Sequence, residues 1–330
     1  MLAGLALKTL YTIAGRQILI DAQDEWAARA VSNLFSGWFL KPLAANGNVF
    51  PHATLRVRLG DTPPRIPNDL CTFQIAEGGT CHTDGQTFYL DFNGSVVSIG
   101  PGMDPGVDIW LTQRYDFGSR VLAQIISQGL SAAWRRFELY ELHSAAVIPP
   151  GQEKAVLIAG GSGSGKTTLT LQLASSGWNY LSDDVVLLSN DHDDLEIYAL
   201  RKFFALRPHT IAALELSQVL PYVVTLAAKE RVRPQSLFSG RQVEQARPHA
   251  MLFPSITQRA TSEMRPLTAG EAMTRLLRLC PWASYDKPTA AKHLALLARL
   301  SKECVAFELL AGTDLLENQG LAAELCMKTY

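Results

Sequence analysis

The stretch Ala155-Val156-Leu157-Ile158-Ala159-Gly160-Gly161-Ser162-Gly163-Ser164-Gly165-Lys166-Thr167-Thr168 decides how this chain is read. Its five apolar residues predict a buried strand, and Thr168 to Ala174 predicts the first turns of a helix. Between them, Gly160 to Thr167 has the spacing of a phosphate-binding loop in the strand–loop–helix setting such a loop requires. Glycines let backbone amides curl around phosphate oxygens, and the helix N-terminus adds partial positive charge. Lys166 is placed to reach the β- and γ-phosphates and Thr167 to ligand Mg²⁺. A flexible Gly/Ser linker would not be followed by Lys-Thr-Thr between an apolar strand and a helix. Residues Gly160, Gly161, Ser162, Gly163, Ser164, Gly165, Lys166, Thr167 and Thr168 are therefore the expected nucleotide contacts.

Seventeen residues beyond Lys166 stand Asp183 and Asp184. The helix is expected to end near Gly177, a natural C-cap, with a strand starting at Trp178-Asn179-Tyr180-Leu181. The pair then falls at a strand end beside the loop, where ligands gather in open α/β sheets. One carboxylate there can hold the Mg²⁺ shell and the other can take a proton from an incoming hydroxyl. On the other side, Glu138 to Ile148 predicts a strand. An antiparallel hairpin centred near Gly151 sets His143 opposite residue 159, at the mouth of the loop.

Composition bounds the rest. At 330 residues the chain is comfortable for two domains, and 47% apolar residues allow a sizeable core. A net charge of −1 argues against nucleic acid or an anionic membrane as main partner. No apolar run approaches the roughly 20 residues of a membrane span. The opening Met1 to Leu10 reads as part of the fold rather than a signal peptide. Five scattered cysteines without a CxxC pair suggest reduced thiols, and a cytoplasmic location is expected.

Texture changes along the chain. From Thr9 to about Gly102 short alternating stretches predict a small α+β domain with an antiparallel sheet, one helix over Glu25 to Phe35, and hairpin turns at Asp84-Gly85 and Asn93-Gly94. Beyond Tyr115, Val121 to Phe137 predicts a helix, and Val185 to Leu188 and Leu195 to Tyr198 predict strands split by the turn Asn190 to Asp194. Further helices are expected near 211–220, 269–279 and 290–300, and strands at 251–253 and 304–310. The division is drawn as residues 1–105, an accessory or recognition domain, and 106–330, the nucleotide domain.

The string Leu142-His143-Ser144-Ala145, then Gly160 to Thr167, then Ser176-Gly177, then Leu181-Ser182-Asp183-Asp184-Val185-Val186 resembles the catalytic core of the HPr kinase/phosphorylase family. The closing stretch Val305 to Leu315 is similar to the last strand of HPr-kinase-like proteins of peptide-modification systems, so the resemblance spans roughly the second half of the chain. It implies an α/β fold with a P-loop HPr-kinase-like core, behind a smaller N-terminal α+β domain. It implies ATP and Mg²⁺ as cofactors, Asp184 as proton acceptor, Lys166 and His143 as active-site groups, Thr167 at the metal, and Asp183 as either a support for the metal or a hold on Asp184. A small protein or peptide would supply the serine or threonine hydroxyl, and a homo-oligomer is possible.

The chain also departs from that family. Where the family carries a glycine-containing signature with a second metal-binding Glu, this chain reads Arg201-Lys202-Phe203-Phe204-Ala205-Leu206-Arg207-Pro208. Reverse phosphorolysis and HPr itself as substrate are not implied. Leu237 to Gln242 superficially matches a transport-ATPase signature, but the following Met251-Leu252-Phe253 strand ends without an acid, so it reads as a loop. Arg231, Arg233, Arg241 and Arg247 form either a solvated loop or a lid for an acidic peptide, and Arg207 could reach phosphate. Two other functions fit the same residues: a nucleotide-hydrolysing switch or chaperone, and a small-molecule kinase.

Overall fold

The computed structural model describes residues 7–43, 50–60, 62–75, 78–103, 105–191, 193–206, 210–211, 230–318 and 320–330. The chain divides into two compact units, Met1–Tyr140 with Trp282–His293, and Glu141–Pro281 with Leu294–Tyr330.

The first unit holds β1 (Lys8–Ile13), β2 (Arg16–Ala22), α1 (Glu25–Phe35), β3 (Lys41–Leu43), β4 (Ala53–Leu59), β5 (Cys71–Gln74), β6 (Thr80–Thr83), β7 (Phe88–Phe92), β8 (Ser95–Ile99), β9 (Gly106–Leu111) and α2 (Arg120–Arg136). Its sheet runs β3-β1-β2-β4-β9-β8-β7-β6-β5. The expected antiparallel pairing holds at both ends, but β2 with β4 and β4 with β9 are parallel. Parallel neighbours need a crossover, and between β2 and β4 it includes α1, capped by Asp24, whose carboxylate accepts from Ala27 N at 2.8 Å. Asn93-Gly94 makes the expected turn, with φ of 54° and 95°, the left-handed pair of a type I′ hairpin. Asp84-Gly85 does not make a two-residue turn. Thr83 pairs with Phe88, leaving a four-residue loop that Asp84 Oδ1 closes by accepting from Gln86 N and Thr87 N.

The units part at Tyr140 rather than near residue 105. β9 is hydrogen-bonded between β4 and β8, and α2 packs against those three strands, so neither can leave the first unit. Within it, Arg135 Nε and Arg136 Nη1 donate to Asp286 Oδ2 at 2.8 and 2.6 Å, tying Trp282–His293 to α2. All three side chains are buried, where an acid left without such partners would be costly.

The second unit continues with β10 (Tyr140–Leu142), β11 (Ser144–Ile148), β12 (Lys154–Ala159), α3 (Lys166–Ser175), β13 (Asn179–Ser182), β14 (Val186–Asp191), β15 (Asp194–Ala199), β16 (Phe204–Leu206), β17 (Glu230–Val232), β18 (Gln245–Ile256), β19 (Glu263–Leu267) and β20 (Val305–Ala311). The sheet order is β10-β14-β15-β18-β12-β11-β13, with β20 paired to β18 and β19. Helices at Ala269–Leu279 and Lys287–Glu303 match expectation. The one expected near 211–220 lies almost wholly outside the described residues. The Glu138–Ile148 strand is instead two short strands broken at His143. Leu169, Leu171, Leu173, Trp178, Tyr180, Ile158 and Leu252 share one buried cluster under α3. Among the described residues no helix is long and apolar enough to cross a membrane.

Candidate functional site

Strand direction assembles the site. β12, β18 and β20 are mutually parallel, and β11 runs antiparallel to both β12 and β13. The C-terminal ends of β12 and β13 and the N-terminal end of β11 therefore open on one edge of the sheet. That edge carries the glycine-rich loop after β12, Asp183 and Asp184 after β13, and His143 before β11. Ser144 pairs with Ala159, one residue out from the expected register, and Gly160 N donates to His143 O at 3.3 Å.

The loop needs its glycines for definite reasons. Gly163 and Gly165 have φ of 85° and 94°, in the left-handed region other residues avoid. A Cβ on Gly160 would lie 2.6 Å from Ser164 Oγ. Gly177 ends the helix as expected, with φ of 97° and its N–H on Ala174 O at 3.1 Å. Lys166 curls back into the loop, donating to Gly160 O at 2.7 Å and Gly161 O at 2.9 Å, with its Nζ 3.1 Å from His143 Nε2.

The two aspartates have separate surroundings. Asp183 is 1% exposed, and its Oδ2 accepts from Thr167 Oγ1 at 3.2 Å and Ala205 N at 3.1 Å. Burial, then the neighbouring Asp184 charge, push its carboxyl up to about 6, against the opposing pull of Ala205 N–H, Arg201 and Thr167. Asp184 is partly exposed. Its Oδ1 lies 3.3 Å from His143 Nδ1, and its Oδ2 accepts from Arg201 Nη1 at 2.6 Å.

The structure thus brings His143, Lys166, Thr167, Asp183 and Asp184 together on one edge. Arg201 is the residue the sequence reading passed over, since it stands in a stretch without a motif. The signal was the hairpin register. Val186 pairs with Ala199, and extending that pairing by two residues sets 184 beside 201. Of the basic run, Arg241 caps α3 by donating to Ala174 O at 2.6 Å, and Arg247 pairs with Asp194 and Glu196. Those two have structural duties rather than a place in a lid. Arg231 stacks over Phe203 with its guanidinium carbon 4.8 Å from the ring centre. Arg207 lies outside the described residues.

Thr167 and Asp183 offer a hydroxyl and a carboxylate oxygen side by side. Among the described residues no group of three or more His, Cys, Asp or Glu side chains could hold a metal. A hydroxyl with a single carboxylate fits Mg²⁺ that arrives with nucleotide phosphates and keeps several waters.

No family model and no curated protein matches the chain. Among solved structures, that of the Hpr(Ser) kinase/phosphatase from Coxiella burnetii is similar over 57% of this chain and 97% of that one, at 13% identity and a TM-score of 0.30. A likeness that loose assigns neither activity nor residues, which have to come from the chemistry of the site itself.

Proposed function

We propose that this chain is an ATP-dependent phosphotransferase that moves the γ-phosphoryl group of Mg-ATP onto a serine or threonine hydroxyl of a small protein or peptide. The observation that carries the reading is the division of labour between adjacent aspartates beside a glycine-rich loop. Asp183 is turned to Thr167 and Asp184 to His143 and Arg201. Phosphoryl transfer asks a protein mainly for positioning, charge neutralisation and one base.

In this account Lys166 leaves the Gly160 and Gly161 carbonyls for the β- and γ-phosphates. Thr167 and Asp183 would hold Mg²⁺, which supplies positive charge to the phosphates when bound. Asp184 accepts the hydroxyl proton as the acceptor oxygen bonds to the γ-phosphorus and the bond to the β–γ bridging oxygen breaks, releasing ADP. His143 holds the other face of the Asp184 carboxylate, and Arg201 sits where it can turn to the transferred group. The test is incubation with Mg-ATP and short peptides encoded by neighbouring genes, read by mass spectrometry. One added phosphate on a peptide serine or threonine supports the reading. Stoichiometric release of inorganic phosphate with every peptide unmodified contradicts it and points to a hydrolase.

A further inference from the structure

Pairing the charges of the second unit leaves Arg231 over. Lys166 is turned to the loop carbonyls, Arg201 to Asp184, and Arg247 to Asp194 and Glu196. Arg231 has no carboxylate partner among the described residues. Its guanidinium carbon lies instead 4.8 Å from the centre of the Phe203 ring. Stacking of that kind holds the group in place without spending its N–H donors.

The hairpin of β16 and β17 brings that cation to the site. Ala205 pairs with Arg231, and Ala205 N donates to the same Asp183 Oδ2 that accepts from Thr167 Oγ1. Thr167, Asp183, Ala205 and Arg231 thus follow one another away from the phosphate loop. Arg201, two residues before Phe203, holds Asp184 at 2.6 Å, and its charge reaches Arg231. Burial first, and then that charge, hold the Arg231 guanidinium below its ordinary value. Like charges within reach of each other repel, and an anion that meets both relieves the repulsion.

We infer that Arg231, backed by Arg201, is a carboxylate-binding subsite for the acceptor, so that the peptide carries an acidic group beside its serine or threonine. This substrate class rests on the phosphotransferase reading of the site. Nucleotide phosphates arrive on the loop side, where Lys166, Thr167 and the loop amides serve them. The acceptor hydroxyl has to come to Asp184, and Arg201 and Arg231 meet what comes with it. A guanidinium fork matches a planar carboxylate with two parallel N–H···O bonds. Either an Asp or Glu side chain or a peptide C-terminus supplies that carboxylate.

Serine-containing peptide libraries with free or amidated C-termini, incubated with the full chain and radiolabelled Mg-ATP, test this. Peptides with an acidic group beside the serine should be labelled at least about tenfold faster than their Asn, Gln or amidated counterparts, the lower end for a hydrogen bond to a charged group. A preference for Asp or Glu assigns the subsite to a side chain, and one for the free end assigns it to a C-terminus. Arg231→Gln should make acidic and neutral peptides nearly equal, with Mg-ATP affinity as in wild type. Should that variant misfold, Arg231→Lys, which keeps the charge and loses the fork, should narrow the preference. Equal labelling of acidic and neutral peptides by wild type overturns the subsite and keeps the transfer reading, as does a preference untouched by either substitution. A loss of Mg-ATP affinity in Arg231→Gln overturns it as well, by placing Arg231 on the nucleotide phosphates. Labelling of no peptide at all removes the transfer reading and the subsite with it.

Discussion

Nζ of Lys166 stands 3.1 Å from Nε2 of His143. An ammonium offers only donors, so Nε2 must accept. In that tautomer the ring proton sits on Nδ1, 3.3 Å from Asp184 Oδ1. Loop lysine, imidazole and carboxylate thus form one chain of contacts. Movement of Lys166 towards a phosphate removes a donor from His143, and Asp184 feels it through the ring. His143→Ala should therefore leave Mg-ATP affinity within a few-fold of wild type while slowing transfer, and by less than loss of Asp184 does. Calorimetry beside single-turnover kinetics checks the split; equal losses in both would make His143 a binding residue.

Asp184→Asn keeps the size of the side chain and removes its basicity. Transfer should fall by about 10²–10⁴-fold, the usual contribution of a positioned base, with Mg-ATP still bound. Asp183→Asn should instead raise the Mg²⁺ concentration needed for half-maximal rate. A reversed pattern swaps the two roles, and no change from either substitution ends the phosphotransferase account.

Asp183 also sets a pH dependence. Its folded value, about 6, lies above its ordinary 3.8. Between about pH 4 and 6 the folded chain holds more of this proton than the unfolded chain does. Stability from this group is therefore present at low pH, is lost as pH rises through that window, and stays lost above it. At 1.36 kcal/mol per unit the deficit at pH 7 is on the order of 3 kcal/mol. Without nucleotide and Mg²⁺, Asp183→Asn should raise the unfolding midpoint at pH 7 and flatten its slope between pH 4 and 6. Thermal melts across that range check it, and an unchanged slope contradicts it.

Residues 106–330 expressed alone should be insoluble. Removing residues 1–105 strips β9 of both neighbours, β4 and β8, and exposes the face of α2 that carries Leu122, Ile125, Ile126 and Leu130, all buried in the whole chain. A soluble, folded fragment would show that β9 and α2 do not depend on the first sheet.

What could be read beforehand followed from how local each signal was. The strand, loop and helix around Lys166 are written in consecutive residues, and α1 and the Asn93-Gly94 turn likewise stand where the sequence placed them. The parallel centre of the first sheet depends on long-range pairing of β2, β4 and β9, which no short window carries. The unit boundary failed for the same reason, since β9 follows a Pro/Gly-rich turn that looks like a linker. At the site, spacing set His143 and the aspartates beside the loop, with His143 one register step off. Arg201 reaches Asp184 only through the β14–β15 hairpin.

The central claim is that Gly160–Thr167 binds the phosphates of a nucleotide, and titration of Mg-ATP into wild type and Lys166→Ala tests it most directly. Wild type should show saturable one-site binding. The variant should lose about 10–150-fold in affinity, the equivalent of 1.5–3 kcal/mol for a hydrogen bond to a charged group. Equal affinity in the two proteins, or no binding by wild type, would contradict the account.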